Sequence, residues 1–531
     1  MEFLASEQVR EWDRRAIAEC GVSGLALMNR AGAAVARMVA QLAQIRGGPA
    51  YPVLFVAGRG NNGGDAFVAA RRLHLDGWRV RVRMICSPEE LRGDARLACE
   101  EMRRAGVGAT ILPQPEAWQV WDETDLPQGG VVVDGLLGIG STGAPRGVVA
   151  AAIQWIQRAA RRAAVVAIDL PSGLDADTGE AQAPAVRADL TVSLAAPKAG
   201  FAHPCAWEYL GHLEVAEIGL PRAVRPAGTV CPGVHYNDAP ALALLRPRRG
   251  RATHKGNYGH LLVIGGSHGL SGAPALAAMG ALRGGTGLVS AAVPADGMAA
   301  LAALAPSAMA YRVRDEAGGL TPATLAEAVW DFSPFDVVLA GPGLSRREGT
   351  RGIVHDLLKS VVPRLVLDAD ALNVLNGDCS LLRRAPGLPP VVITPHPGEA
   401  ARLLGCTVAG VQGDRVAAAQ ELARRSRAVV VLKGAGTLVA GPENAPCLNL
   451  TGNPGLAKGG TGDVLAGLLA GLWAQGLSPL DAARLAVYWH GTAGDLAAWQ
   501  QGEDALIAED LGAFLAPASL WLTRVAGGTE E

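Results

Sequence analysis

The sequence predicts two consecutive α/β domains, each built on a mostly parallel β-sheet with helices on both faces. Three observations predict this. At 531 residues the chain is too long for one ordinary core. In both halves, short apolar runs of strand length alternate with longer helical stretches, the pattern of strand–helix–strand crossovers. That alternation breaks once, between Leu220 and Arg251, where Pro221, Pro226, Pro232, Pro240 and Pro247 precede Arg248-Arg249-Gly250-Arg251. The expected division is therefore a domain over residues 1–222, a Pro/Arg-rich linker over 223–250, and a second domain over 251–531.

In the first half the strand-like runs are Val53–Val56, Val80–Ile85, Val131–Val133, Val165–Ile168 and Leu190–Leu194. Helical spacing covers Ala66–Leu75, Glu89–Arg104 and Val148–Arg161. In the second half the strand-like runs are His260–Ile264, Val337–Ala340, Leu365–Leu367, Val391–Thr394 and Val429–Leu432. Helical stretches there are Ala273–Arg283, Val464–Trp473 and Asp481–Gly494. Open parallel sheets bind ligands at the carboxyl ends of their strands. Each motif described below directly follows a strand-like run.

Composition excludes several classes. Hydrophobic content of 49% and charged content of 18% describe a globular protein. A net charge of −2 gives no electrostatic reason to expect nucleic acid or an anionic membrane. The opening Met1-Glu-Phe-Leu-Ala-Ser-Glu has acids where a signal peptide would be apolar, and the apolar stretches are too short to span a bilayer. The eight cysteines are scattered without a Cys-x-x-Cys pair. A cytoplasmic protein without membrane or nucleic-acid partners is expected.

Two glycine-rich loops, each with a following aspartate, suggest two phosphate-bearing ligand sites. Glycines let backbone N–H groups close around an anion at a helix start. The first is Gly58-Arg-Gly-Asn61-Asn62-Gly63-Gly64-Asp65. Two further segments share its half: Asp134-Gly135-Leu136-Leu137-Gly138-Ile139-Gly140-Ser141-Thr142-Gly143, and Asp169-Leu170-Pro171-Ser172-Gly173-Leu174-Asp175. Asn62, Asp134 and Ser172 offer three oxygens that suit a hard cation. Asp169 follows a fully apolar run, and a desolvated carboxylate moves toward acid–base use. Asn-Gly is also a turn signal by itself, and Asp175-Ala-Asp-Thr-Gly reads equally as a plain loop. Three such segments at three strand ends make coincidence a weaker reading.

These segments resemble the NAD(P)H-hydrate epimerase domain, a Rossmann-like three-layer α/β/α fold. The resemblance spans about residues 1–222, from an opening helix around Asp13 and Leu27-Met28 to Ala196-Pro-Lys198-Ala-Gly200. It implies that Asn61, Asn62, Gly63, Gly64 and Asp65, with Gly138, Ile139, Gly140, Ser141, Thr142, Gly143 and Ala144, hold the hydrated dinucleotide. It implies a potassium ion on Asn62, Asp134 and Ser172. Asp169 would bind substrate and move protons during inversion at C6 of the nicotinamide ring. Ala66 departs from a usual glycine and would crowd the loop's exit. Asn29 stands where a glutamate is common.

The second loop runs Asn453-Pro-Gly-Leu-Ala-Lys458-Gly459-Gly460-Thr461-Gly462-Asp463 into an apolar helix. Its N–H groups would stabilise a phosphoryl group in transfer, and Asp463 is placed to take a proton from an attacking hydroxyl. No Walker lysine motif is present. Lys433-Gly434-Ala435-Gly436-Thr437, Gly341-Pro-Gly343 and Thr394-Pro-His396-Pro-Gly398-Glu399 complete a nucleotide site. Asp368 and Asp370 read either as metal ligands or as helix caps. Only five of the 48 basic residues are lysine: Lys198, Lys255, Lys359, Lys433 and Lys458. In so arginine-rich a chain, a lysine marks a place where a compact ammonium is needed. Chance is the alternative for so few residues.

This half resembles the ribokinase-like ADP- or ATP-dependent NAD(P)H-hydrate dehydratase domain, from His254-Lys-Gly-Asn-Tyr-Gly259 and Gly272-Ala273-Pro274 through the His-Pro-Gly-Glu and Gly-Gly-Thr-Gly-Asp strings. The resemblance implies that Ala273, Gly343, His396 and Asp463 contact the hydrated dinucleotide. Lys433, Gly434, Ala435, Gly436, Thr437 and Gly462 would contact ADP, which brings Mg2+. Lys458 stands where threonine or serine is frequent, beside the expected phosphates. The implied reaction phosphorylates the C6 hydroxyl from ADP, and the ring nitrogen then expels phosphate to regenerate NAD(P)H, leaving AMP. The expected substrates are therefore NADHX, NADPHX and ADP, and the expected assembly is a homo-oligomer. Two alternatives stay open here: a small-molecule kinase of the hydroxymethylpyrimidine or thiazole type with a fused binding domain, and a non-catalytic first half acting as an RNA- or protein-binding scaffold.

Overall fold

The computed structural model describes every residue except 120–128, 229, 232, 317, 361, 363 and 527–531. Pro232, one of the prolines expected in the linker, lies outside the described residues, as does the extreme end of the 251–531 domain. The chain divides into two compact units, Met1–Pro232 and Gly233–Gly527.

The first unit holds a seven-stranded sheet in the order β3-β2-β1-β4-β5-β6-β7. Its strands are β1 Val53–Ala57, β2 Val80–Met84, β3 Ala109–Ile111, β4 Val131–Gly135, β5 Ala164–Ile168, β6 Leu190–Leu194 and β7 His212–Ala216. Every pairing is parallel. Strands β1, β4, β5 and β6 are buried along their whole length; β1 and β5 read as continuous apolar runs, β4 is apolar up to Asp134, and β6 carries Thr191 and Ser193. Helices Gly24–Ile45, Asn61–Leu75 and Gly93–Arg104 pack against one another. A separate cluster around Trp118, Ile153, Trp155 and Ile156 packs on Val132 and Val165 of the sheet. This is the Rossmann-like three-layer arrangement. Its strand order reverses between β1 and β4, which opens a crevice beyond their carboxyl ends.

Two local expectations need correction. The opening region is two helices, Ser6–Cys20 and Gly24–Ile45, because Gly21 takes a left-handed φ of 68° and ends the first. The expected helix Glu89–Arg104 begins only at Gly93, after a short 3-10 turn at Pro88–Glu90.

The second unit holds a ten-stranded sheet in the order β11-β10-β9-β12-β13-β14-β15-β16-β17-β8. The strands are β8 His235–Tyr236, β9 His260–Ile264, β10 Leu288–Val293, β11 Met309–Arg312, β12 Val337–Ala340, β13 Leu365–Leu367, β14 Val392–Ile393, β15 Val429–Leu432, β16 Thr437–Ala440 and β17 Cys447–Asn449. From β11 to β15 the pairings are parallel; β16 is antiparallel to both β15 and β17. The stretch expected as a linker contributes structure here. Strand β8 pairs with β17, and helix Ala239–Leu245 packs on helices Pro479–Gln501 and Ala508–Ala526.

Helix Thr461–Ala474 is apolar nearly all round, and it is buried against β9, β12 and helices Gly272–Arg283 and Pro479–Gln501. Close crossing needs bare backbone. A Cβ on Gly467 would lie 1.9 Å from the Ala277 carbonyl oxygen, and one on Gly280 would lie 2.3 Å from that of Val464.

Candidate active sites

The first site forms beyond β1, β4, β5 and β6. Asn61–Asp65 does not form a loop ending at Asp65; it is the first turn of helix Asn61–Leu75, capped by Gly60. Bare backbone brings this turn close: a Cβ on Gly58 would lie 2.0 Å from the Leu136 carbonyl oxygen, and one on Gly63 would lie 2.1 Å from that of Gly58. Asn61 is exposed, whereas Asn62, Gly63, Gly64 and Asp65 are buried. The Asn62 amide donates to the Leu137 carbonyl at 2.8 Å. Asp134, fully buried, accepts from Ser172 Oγ at 2.7 Å, from Ser172 N at 2.8 Å and from Leu136 N at 3.1 Å. Ser172 Oγ in turn accepts from Leu137 N at 3.0 Å. One network thus joins Asn62, Asp134 and Ser172. Burial, partly offset by these bonds, raises the Asp134 carboxyl to about 6.

The segment Gly138–Ala144 leaves this network as an exposed loop. Ser141 folds back on the Gly138 carbonyl at 2.8 Å, while Thr142, Gly143 and Ala144 stand at its exposed tip. Gly138 sits beside Asn62, and Ile139 is tied through its carbonyl to Arg10 at 2.6 Å.

Asp169 takes a left-handed φ of 67°, rare for a non-glycine residue and typical of a functionally constrained position. Its carboxylate accepts from Leu194 N at 3.1 Å and is ion-paired with Lys198 Nζ at 2.5 Å. Lys198 is wholly buried, and it also donates to Ser193 Oγ and to the Leu194 and Ala196 carbonyls at 2.9–3.0 Å. Asp65 and Asp13 lie within electrostatic reach of this pair. Burial first, then the charges of Asp169 and Asp13, push Asp65 well above the usual carboxylate range.

The second site lies beyond β12, β13, β14 and β15. Gly460, at φ 92°, caps helix Thr461–Ala474, so Asp463 stands within the helix's first turn. Lys433 follows β15 and is ion-paired with buried Asp368 at 2.8 Å. Asp368 also accepts from Thr394 Oγ1 at 2.6 Å. It is an ion-pair partner rather than a helix cap. Asp370 instead accepts from Ser345 N at 2.8 Å and holds a loop. A Cβ on Gly462 would lie 3.5 Å from Lys433 Nζ, so the ammonium sits at the start of the helix. Burial and Asp368 raise the Asp463 carboxyl, against the pull of Lys433, to about 7. That is the range a general base at neutral pH requires.

The remaining expected residues gather around this core. Lys433 N donates to the Pro395 carbonyl at 2.9 Å, which docks Lys433–Thr437 beside His396. Arg415 Nη2 donates to the carbonyls of Leu432, Lys433 and Gly436 at 3.1–3.3 Å and fixes the turn, in which Gly434 and Gly436 take positive φ. Thr437 Oγ1 closes it onto the Gly434 carbonyl; Ala435 is exposed at its tip. Gly343, at φ 65°, lies against Ala273, and a Cβ there would come 3.2 Å from the Ala273 methyl. His396 caps helix Pro397–Leu404: its Nδ1 accepts from Gly398 N and Glu399 N. The ring proton therefore belongs on Nε2. Burial, with Lys433 nearby, lowers the His396 pKa and favours this neutral form. Buried Glu399 accepts from His396 N at 2.8 Å, and burial raises it to about 7.

The three departures each have a partner in the structure. The Lys458 ammonium donates to the Asp504 and Leu506 carbonyls, both at 2.6 Å. Ala66 is accommodated because Gly135 opposite lacks a side chain, where a Cβ would lie 2.7 Å from the Ala66 methyl. Asn29 is bonded to Arg71 at 2.9 Å and to the Leu25 carbonyl at 2.8 Å. Sequence reasoning gave no role to Lys198 or Asp13 and left Asp368 open. The scarcity of lysine pointed at Lys198 and Lys433, and the glycine-rich turn after β15 pointed at Lys433 as well.

Among the described residues, no group of three or more His, Cys, Asp or Glu is placed to hold a metal ion, and no helix is long and apolar enough to cross a membrane.

Residues 24–200 match the family described as YjeF-related protein N-terminus, and residues 261–516 match the NAD(P)H-hydrate dehydratase family. Over 525 residues the chain is 41% identical to the bifunctional NAD(P)H-hydrate repair enzyme of Moorella thermoacetica, covering 97% of this chain and 96% of that one. The Escherichia coli K12 enzyme of the same name is 36% identical over 515 residues, with 95% and 92% covered. Among solved structures, the ADP/ATP-dependent NAD(P)H-hydrate dehydratase from Bacillus subtilis, co-crystallised with ATP/Mg2+, aligns at 30% identity and a TM-score of 0.47, covering 55% of this chain and 100% of that one. With a Rossmann-like unit and a ribokinase-like unit each carrying its own acidic site, and with relatives that match across both, the chain belongs to the bifunctional NAD(P)H-hydrate repair enzymes, which epimerise hydrated NADH and NADPH and dehydrate them at the expense of ADP.

Proposed function

We propose that inversion takes place at Asp169 in the first unit and ADP-driven dehydration at Asp463 in the second. In the first, the turn Asn61–Asp65 and the loop Gly138–Ala144 flank the strand-order reversal, where a dinucleotide's pyrophosphate meets a helix start. Asp169 is the group that moves protons at C6.

A potassium ion fits Asn62, Asp134 and Ser172. The Asn62 amide nitrogen is spent on Leu137, and all three side chains offer oxygen. Such an ion would balance the charge of the bound pyrophosphate. Asn62, Asp134 and Ser172 keep the first turn and the two loops in register, and Lys198 holds the Asp169 carboxylate.

In the second unit, ADP with its Mg2+ would lie between Lys433–Thr437 and Gly462, and the hydrated ring between Ala273, Gly343 and His396. Asp463 takes the proton of the C6 hydroxyl as its oxygen attacks the β-phosphorus of ADP, and AMP leaves. Phosphate is then a good leaving group, expelled by the ring nitrogen's electron pair as C5 loses a proton. Only one epimer would present its hydroxyl to Asp463, which is why the epimerase shares the chain. The observation that carries this reading is the placement of Asp463, raised to about 7, in the same helical turn as the Gly460–Gly462 anion site and beside Lys433.

The test uses mixed NADHX epimers with ADP, Mg2+ and K+, following the return of NADH absorbance. Asp463→Ala should abolish dehydration while epimerisation continues. Asp169→Ala should dehydrate the S form at the normal rate and leave the R form unused. Full dehydratase activity in Asp463→Ala, or accumulation of a stable phosphorylated product, refutes the reading.

A further inference from the structure

We propose that Asp13 is the second catalytic group of the epimerase site, the acid that protonates the C6 hydroxyl while Asp169 acts as base. The proposal rests on the epimerase reading given above. Asp13 belongs to helix Ser6–Cys20, which precedes the family match at residues 24–200.

That helix is fastened to the site at three places. Leu4 forms a β-bridge with Lys198, with Leu4 N donating to the Pro197 carbonyl at 3.0 Å and Ala199 N to the Leu4 carbonyl at 2.8 Å. Ser6 N and Oγ donate to Asp177 at 2.7 and 2.6 Å, on the loop that follows Asp169 and Ser172. Arg10 Nη2 donates to the Ile139 carbonyl in the substrate loop. Asp13 lies three residues beyond Arg10, so the two share a helix face.

The Asp13 carboxyl is poised rather than satisfied. Its Oδ1 is buried with no hydrogen-bond partner among the described residues. The charged groups that act on it are Asp169 after β5 and Lys198 after β6, and Asp13 in turn acts on Asp65 of helix Asn61–Leu75. Burial first, then the Asp169 charge, raise Asp13 to about 6, with Lys198 opposing. Lys198 itself is spent on Asp169, at 2.5 Å. The site therefore holds one ion-paired carboxylate, Asp169, and two carboxyls biased toward their acid form, Asp65 and Asp13; of these, Asp13 is the one on the helix fastened to the substrate loop and has a buried oxygen with no hydrogen-bond partner among the described residues. Two like groups whose surroundings drive them apart make an acid–base pair.

Inversion then balances without an oxidant or reductant. Asp13 gives its proton to the C6 hydroxyl oxygen, the C6–O bond breaks, and water departs with the electron pair. The ring nitrogen's lone pair forms the N1–C6 double bond. A solvent water adds to the opposite face of C6, and the Asp169 carboxylate takes the proton it loses. One proton has passed from Asp13 to Asp169. The reverse reaction begins from that state, so the same two groups serve both epimers.

The test is Asp13→Asn in the full chain. The expected result is a loss of about 100-fold or more in epimerase kcat, with KM changed less than about threefold. Wild-type epimerisation should decline as pH rises past about 6, and the variant should lack that limb. S-form dehydration by the same sample reports that the chain is folded, and Asp13→Glu should regain most of the activity. In 18O-water, each wild-type inversion should carry one solvent oxygen into C6. The proposal is overturned if Asp13→Asn epimerises within tenfold of wild type, if it loses only KM with an unchanged pH profile, or if inversion retains the original oxygen. If Asp169→Asn stops inversion and Asp13→Asn does not, the site assignment survives without Asp13. If neither substitution matters, the site assignment itself fails.

Discussion

Asp463→Asn separates what this carboxylate does for catalysis from what it costs the fold. Loss of a general base lowers kcat by about 10²–10⁴-fold, and the glycine turn Gly460–Gly462 remains. The same change should make the second unit more stable at neutral pH. Burial places the folded-state pKa at about 7, above the ordinary 3.8. The sign follows from that direction. Below pH 4 the group is protonated whether folded or unfolded, and it contributes nothing. Between about 4 and 7 the unfolded chain ionises and the folded chain resists, so stability falls by about 1.4 kcal/mol per pH unit. Above 7 the penalty levels off at an upper bound of about 4 kcal/mol. Relaxation and water penetration around the ionised carboxylate reduce the net to about 2–4 kcal/mol. For a unit of this size that corresponds to a rise on the order of 5–10 °C in Tm. Calorimetric scans of both proteins at pH 4, 6 and 8 should show a Tm difference near zero at pH 4 that grows with pH. A flat difference across that range would refute the account of Asp463, as would dehydratase activity within tenfold of wild type. In the same assay, wild-type dehydratase kcat/KM should rise as pH passes through about 7.

Lys198→Met leaves the Asp169 carboxylate without its cation in a closed site; such an unpaired buried charge costs about 3–5 kcal/mol. Epimerisation should be lost and the first unit's Tm lowered, while S-form dehydration stays intact. Lys458→Met removes two 2.6 Å bonds to the carbonyls of Asp504 and Leu506. It should lower the second unit's stability by about 1–3 kcal/mol while the KM for ADP stays within about threefold; a large rise in that KM would restore a phosphate-binding role for Lys458. Gly467→Ala puts a methyl 1.9 Å from the Ala277 carbonyl oxygen and must spread two helices, at about 1–3 kcal/mol in a denaturant titration.

The parts of the fold that were legible are those buried on both faces. Strands β1, β5, β12, β13 and β15 are unbroken apolar runs, and β4 and β9 are apolar apart from Asp134 and His260, because helices cover them on either side. Edge strands β3 and β11 expose nearly every residue and leave no such signature. Strand β7 is buried throughout, yet His212 and Glu214, bonded to each other at 2.8 Å, interrupt its apolar pattern. Strand β8 is two residues long and finds its partner, β17, some two hundred residues later, which no local pattern can express. Proline density suggested a linker there, but Pro240 sits at a helix start, where its missing N–H costs nothing. The glycine-rich segments were legible as turns into helices beyond strand ends. Whether the aspartate after each belonged to loop or helix depended on the cap, and that is set by the φ of Gly460 and by the approach of Gly58 to Leu136.

The lysines show why site chemistry was harder to read than site position. Lys198 and Lys433 are both buried or nearly so, and each is paired with an aspartate at the end of a strand. A point charge on a flexible stem can do this where a planar guanidinium would need more room and more acceptors. Their partners differ in role. On the proposed assignment Lys198 pairs with the reacting aspartate itself, and another carboxyl, Asp13, holds the proton. Lys433 pairs with Asp368, which leaves Asp463 without a direct cation and biased toward its acid form until the pH nears 7. One lysine fixes the charge of its acid–base residue; the other tunes a neighbour's. The two sites thus reach acid–base chemistry near neutral pH by opposite arrangements of the same ion pair. A swap would be unproductive in either direction: a cation directly on Asp463 would suppress the base, and its removal from Asp169 would strand a buried charge.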